Sequence, residues 1–114
     1  MADVAQLEAR LAAALRTRAE LEEQLTKPEV LADHTALARI GRELSRTAPL
    51  AEAAAALADA RTRQSDARGM ELDPGADAEI RTLAATERAA SEAIERDIIE
   101  RLPALLLEIG RAHV

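Results

Sequence analysis

Apolar residues recur at helical spacing along most of the chain. Val4, Leu7, Leu11, Ala14, Leu21 and Leu25 fall on alternating three- and four-residue steps. That spacing keeps one face of a helix turned toward a partner. Arg18 interrupts the seam once, and Leu15 widens it. Asp3 is placed to cap the start. Glu8, Arg10, Arg16, Glu20, Glu22 and Glu23 occupy the outward face, where Arg16 and Glu20 are spaced to pair. The pattern predicts an amphipathic helix over residues 3–25.

Thr26-Lys27-Pro28-Glu29-Val30 breaks it. Pro28 has no N–H and restricts the residue before it, so the first helix ends there. It also suits the first position of a new turn, with Glu29 beside the positive helix end. A short helical turn is expected over 28–33, with Asp33 or Thr35 capping the next helix. The second long segment runs over 35–68. Its stripe is Leu37, Ile40, Leu44, Leu50 or Ala51, Ala54, Leu57 and Ala58. Pro49 lies inside it, and because the stripe resumes almost at once, one kinked helix is expected. From Ala51 to Ala60 nearly every residue is small, which lets a neighbouring helix come close.

Gly69 and Asp73-Pro74-Gly75 mark the second break, with Met70 and Leu72 expected to cover one end of the fold. The third segment begins at Asp73 or Asp77 and reaches at least Leu102. Its stripe is Ile80, Leu83, Ala90, Ile94, Ile98 and Leu102, and Glu92–Arg96 and Arg96–Glu100 are spaced as ion pairs. Pro103 ends or kinks it. Leu105-Leu106-Leu107 follow as an exposed apolar run.

These segments predict an all-α fold: an elongated, coiled-coil-like bundle of three antiparallel helices with short connections. There is no internal repeat.

Composition narrows the chemistry. The 114 residues include 28 Ala and 16 Leu but no Phe, Trp, Tyr or Cys. Without cysteine there is no disulfide framework, thiolate metal site or Cys nucleophile. Without aromatic rings there is no platform on which bases stack, and a thick core is not expected. Fifteen basic residues, all Arg except Lys27, stand against 21 acidic ones, for a net charge of −6. An acidic chain lacks the electrostatic footprint of a domain that grips phosphate backbones. No apolar run approaches the roughly 20 residues that span a bilayer. The start, Met1-Ala2-Asp3-Val4, does not read as a signal peptide. A cytoplasmic location and no membrane partner are expected.

Candidate reactive residues are sparse. His34 sits at a helix start between Asp33 and Thr35, with no second His one turn on, so a solvated residue is expected rather than a metal ligand or base. His113 lies in the tail discussed below. Glu22-Glu23 reads as a charged helix face. Gly41, Gly69, Gly75 and Gly110 never cluster into a phosphate-cradling loop. Ser45, Ser65 and Ser91 lack the setting of a nucleophile. Arg39, Arg42 and Arg46, then Arg61, Arg63 and Arg68, give the middle helix basic stretches. Interleaved Glu43, Glu52, Asp59 and Asp66 point to paired or solvated faces rather than an RNA contact. No catalytic, cofactor-binding or metal-binding residue is assigned, and no enzymatic activity is expected.

One break carries a family resemblance. Leu25-Thr26-Lys27-Pro28-Glu29-Val30-Leu31-Ala32-Asp33 resembles the L-x-D-P-E-V-L-x-D segment of bacterial class I peptide chain release factors. The following stretch from Leu37 to Leu50 is similar to the family's L-x-K-E-Y-S-x-L-x-P-I-V. Leu44 stands where the family often has Tyr, and Pro49 falls on the family proline. Leu105-Leu106-Leu107 is similar to the end of this domain in the release factor 1 type. The resemblance implies an N-terminal helical domain, residues 1–107, that acts as an arm of a larger factor. It implies a role in translation termination at stop codons, with contacts to ribosomal proteins near the factor-binding region and little direct nucleic-acid binding. Codon reading and peptidyl-tRNA hydrolysis belong to later domains of such factors. Their Gly-Gly-Gln motif has no counterpart here, since the chain contains no Gly-Gly pair.

Glu108-Ile109-Gly110-Arg111-Ala112-His113-Val114 departs from the family. These residues match the translation of a common sequencing adapter, GAG ATC GGA AGA GCA CAC GTC, followed by TGA. Residues 108–114 are therefore expected to be a non-native tail on a truncated factor. Such a fragment is expected to be marginally stable and to self-associate through its apolar stripes. The alternative is a free-standing helical adaptor or coiled-coil interaction protein.

Overall fold

A computed structural model describes residues 3–111. Among these residues the chain is all-α, with helices α1 (Val4–Gln24), α2 (Pro28–Leu31), α3 (His34–Glu71) and α4 (Ala78–Arg111). The three long segments expected from the periodicity are present, and the expected turn after Pro28 forms α2.

Side-chain caps set three of the starts. Asp3 Oδ1 accepts from the Ala5 N–H at 3.0 Å. Asp33 Oδ1 accepts from the N–H groups of Thr35 and Ala36, so Asp33, not Thr35, caps α3. Asp77 Oδ1 accepts from the Ile80 N–H at 2.9 Å and fixes the start of α4. Each carboxylate satisfies donors that have no partner within the helix. Pro28 is the first residue of α2, where its missing N–H costs nothing.

Both interior prolines are carried within helices. Pro49 lies inside α3 and Pro103 inside α4, so neither ends its helix. Gly69 does not break the chain as expected: α3 continues through it to Glu71. A single glycine costs a helix only about 1 kcal/mol, and flanking interactions outweigh that. The connection is instead confined to Leu72–Asp77. There Asp73 Oδ1 accepts from the Gly75 N–H at 2.8 Å.

The chain divides into two compact units: residues 1–52 with 102–114, and residues 53–101. In the first, Leu7, Leu11, Ile40, Leu50, Leu102 and Leu106 are the buried apolar residues, with Ile40 and Leu102 wholly enclosed. Leu106 thus corrects the reading of 105–107 as an exposed run. Leu105 is half-buried, and only Leu107 is exposed.

In the second unit α3 and α4 run antiparallel, joined by ion pairs from Arg61 to Glu95 and from Glu71 to Arg88. Its buried seam is Ala53, Leu57, Ala60 and Ala67 from α3 with Ala84, Ser91 and Ile98 from α4. This differs from the expected stripe. Ile80, Leu83, Ala90 and Ile94 all lie exposed. Small side chains let helix axes approach closely, so the contact runs along Ala and Ser positions while bulkier residues flank it. Ser91 is buried because its hydroxyl donates back to the carbonyls of Glu87 and Arg88.

Candidate interaction surface

An apolar concavity lies in the second unit, between the end of α3 and the start of α4. It is a groove of about 420 Å³. Ala67, Met70, Ile80, Leu83 and Ala84 line it, with Arg63, Asp66 and Glu87 at its edge. Met70 is 53% exposed and Leu83 65%. Leu72, nearby in the connection, is 75% exposed. Met70 and Leu72 therefore do not cover an end of the fold; they stand in solvent. Clustered large apolar side chains of this kind mark a contact surface rather than a core.

The groove's edge is acidic. Its one cation, Arg63, is engaged by Asp59 at 3.2 Å one helical turn away. The carboxylates of Asp66 and Glu87 have no partner among the described residues. The charge pattern suits a cationic, apolar segment.

Beside the groove an ion network ties α3 to α4. Arg88 donates to both Glu71 and Glu92, with the Glu92 contact at 3.0 Å. Arg68 reaches Glu92 at 3.8 Å. The hydrogen bond from Arg88 holds the Glu71 carboxyl below the usual carboxylate range, and the guanidinium's own pKa is raised in turn. Farther along, Glu95 accepts from Arg61 at 2.6 Å and Gln64 at 3.1 Å, which lowers its pKa.

The network accounts for the arginines that read as basic stretches. Arg46 pairs with Glu43, Arg61 with Glu95, Arg63 with Asp59 and Arg68 with Glu92. Arg39 and Arg42 remain exposed. The expected pairing of Arg96 with Glu92 does not form. Glu92 turns to Arg88 instead, where it joins a cross-helix cluster rather than an isolated pair. Arg16 and Glu20 do not pair either, and Arg18 reaches Glu22 at 3.5 Å.

The remaining candidates are scattered. His34 is exposed at the first residue of α3, and Glu22 and Glu23 are exposed on α1. Gly41 and Gly69 are helical, Ser45 and Ser65 are exposed, and His113 lies outside the described residues. Among the described residues no three His, Cys, Asp or Glu side chains gather as metal ligands. No helix among them is long and apolar enough to cross a membrane. Sequence reasoning missed the groove because it assigned Ile80 and Leu83 to the core. The signal available was the seven-residue spacing of Ala84, Ser91 and Ile98 along one helix face, which sets Leu83, next to Ala84, off the seam.

Comparison with protein families gives one match: the PCRF domain, over residues 15–112. The matched span contains α2, α3 and α4 and the second half of α1, and it includes residues 108–112. No solved structure matches the chain.

Proposed function

The chain belongs to the PCRF-domain family of class I peptide chain release factors, and on that premise we propose that it is the ribosome-facing helical arm of such a factor. The family match over residues 15–112 is the observation that carries this reading. On it, the arm serves translation termination in the cytoplasm and performs no hydrolysis itself. Residues 1–107 are the arm, and the adapter-like residues 108–114 a non-native tail. Stop-codon reading and peptidyl-tRNA hydrolysis belong to other domains of such factors. The Leu105-Leu106-Leu107 end favours the release factor 1 type.

The arm meets its partner through the groove lined by Met70, Ile80 and Leu83. The acidic edge, Asp66 and Glu87, favours a basic segment of a ribosomal protein and disfavours bare phosphate backbone. Co-sedimentation with bacterial ribosomes tests this. The chain is expected to pellet with ribosomes, and Leu83→Asp, which places a charge on an exposed position, is expected to abolish that. Failure of the folded chain to pellet, or pelleting indifferent to Leu83→Asp, would instead favour a free-standing adaptor.

A further inference from the structure

Arg18 occupies the seam of α1 where the spacing of Leu11, Ala14, Leu21 and Leu25 calls for an apolar residue. Its side chain is only 19% exposed. A cation so enclosed is costly unless its donors are matched. Two of them are matched by α3, where Nη1 donates to the Leu44 carbonyl at 2.6 Å and to Thr47 Oγ1 at 2.6 Å, while Nε faces the Glu22 carboxylate on α1 at 3.5 Å. Thr47 Oγ1 in turn donates to the Glu43 carbonyl at 2.8 Å. Both acceptors lie in the turn that precedes Pro49.

That turn is the weak place in α3. Pro49 has no N–H, so the Ser45 carbonyl loses its donor four residues on, and the proline ring crowds the same carbonyl. Thr47 bonding back to the preceding turn favours bending there as well. Arg18 does not reach the Ser45 carbonyl; it grips the Leu44 carbonyl and Thr47 Oγ1 on either side of it, and so ties the weakened turn to a different helix through one guanidinium nitrogen.

We infer that Arg18 is a latch: it holds the proline-weakened turn of α3 and docks α1 to it, so that the two open together. The apolar residues of the seam bury area but do not select a register; the guanidinium does, because it must meet two particular acceptors. A cavity of about 110 Å³ beside it, lined in part by Ala14, Leu21 and Thr47, gives a methionine side chain at position 18 room to fit. Loss of the latch is therefore separable from overpacking.

Hydrogen exchange on the full chain tests the inference, with Arg18→Met introduced into the native chain and into the Pro49→Ala variant. In the native background, Arg18→Met is expected to speed exchange about tenfold or more over α1 and residues 44–52, the effect of losing charged hydrogen bonds. Residues 56–66 and 84–96 are expected to be unchanged. In the Pro49→Ala background, where the missing N–H is restored, the same substitution is expected to change exchange less than about threefold. Equal effects in both backgrounds, no effect, or a uniform rise across both units would overturn the latch. Should Arg18→Met alone fail to fold, rescue by Pro49→Ala supports the latch, and failure of the double variant to fold overturns it.

Discussion

Truncating Leu102 and Leu83 to alanine on the same helix separates core from surface. Both lie inside α4, Leu102 in the first unit and Leu83 in the second, and burial is the main difference between them. Leu102 is 0% exposed and Leu83 is 65% exposed. Full burial makes Leu102→Ala cost about 3 kcal/mol, toward the lower end of the usual range, because a thin core collapses partly into the gap. Leu83 has about a third of its surface covered, so its loss amounts to roughly 0.5–1 kcal/mol. With a urea slope of about 1.5–2 kcal/mol per molar, the midpoint falls by roughly 1.5–2 M for Leu102→Ala and a few tenths for Leu83→Ala. Far-UV circular dichroism is the assay, since a chain without Trp, Tyr or Phe gives no intrinsic fluorescence signal. Equal midpoint shifts for the two variants would refute the assignment of Leu102 to the core and Leu83 to the surface. Ribosome binding is expected to reverse the order, with Leu83→Ala the more damaging.

The other expectations follow from the glycines and the ion network. Gly69 is helical and a Cβ there meets nothing within 4 Å, so Gly69→Ala is expected to stabilise the chain by about 0.5–1 kcal/mol; a lowered urea midpoint would contradict this. Glu71 and Glu95 have pKa values lowered from 4.5 by Arg88 and by Arg61 and Gln64 respectively. A depressed folded-state pKa contributes stability that is full above the unfolded value and lost as pH falls from 4.5 through the lowered one. The Tm gap between the native chain and a Glu71→Gln/Glu95→Gln variant is thus expected to be largest near neutrality and to close in acid. A gap that stays constant with pH would show that these ion pairs contribute nothing.

The helices and their caps were legible in the sequence because capping and proline effects are local. Asp3, Asp33 and Pro28 act on neighbours within three residues, and the structure places them as the spacing implies. The seam of the second unit was not legible in the same way. Hydrophobic periodicity ranks Ile80, Leu83 and Ile94 above Ala84 and Ser91, yet close helix approach reverses that order. Leu106 shows the same limit, since its cover comes from residues distant in the chain. Ion pairs across helices, such as Glu71–Arg88, depend on register between α3 and α4, which no local pattern encodes. The groove was therefore hidden behind a single misplaced stripe, while the family resemblance over 25–33 and 37–50 was visible directly.

On the function proposed above, the chain is a release-factor arm that occupies the ribosome without acting on peptidyl-tRNA. Competition in a stop-codon-programmed peptide release assay with an intact class I release factor tests it most directly. Excess chain is expected to slow release by the intact factor, to release no peptide alone, and to lose its inhibition on Leu83→Asp. Release that proceeds at full rate in the presence of excess folded chain, or peptide release by the chain itself, would contradict the account.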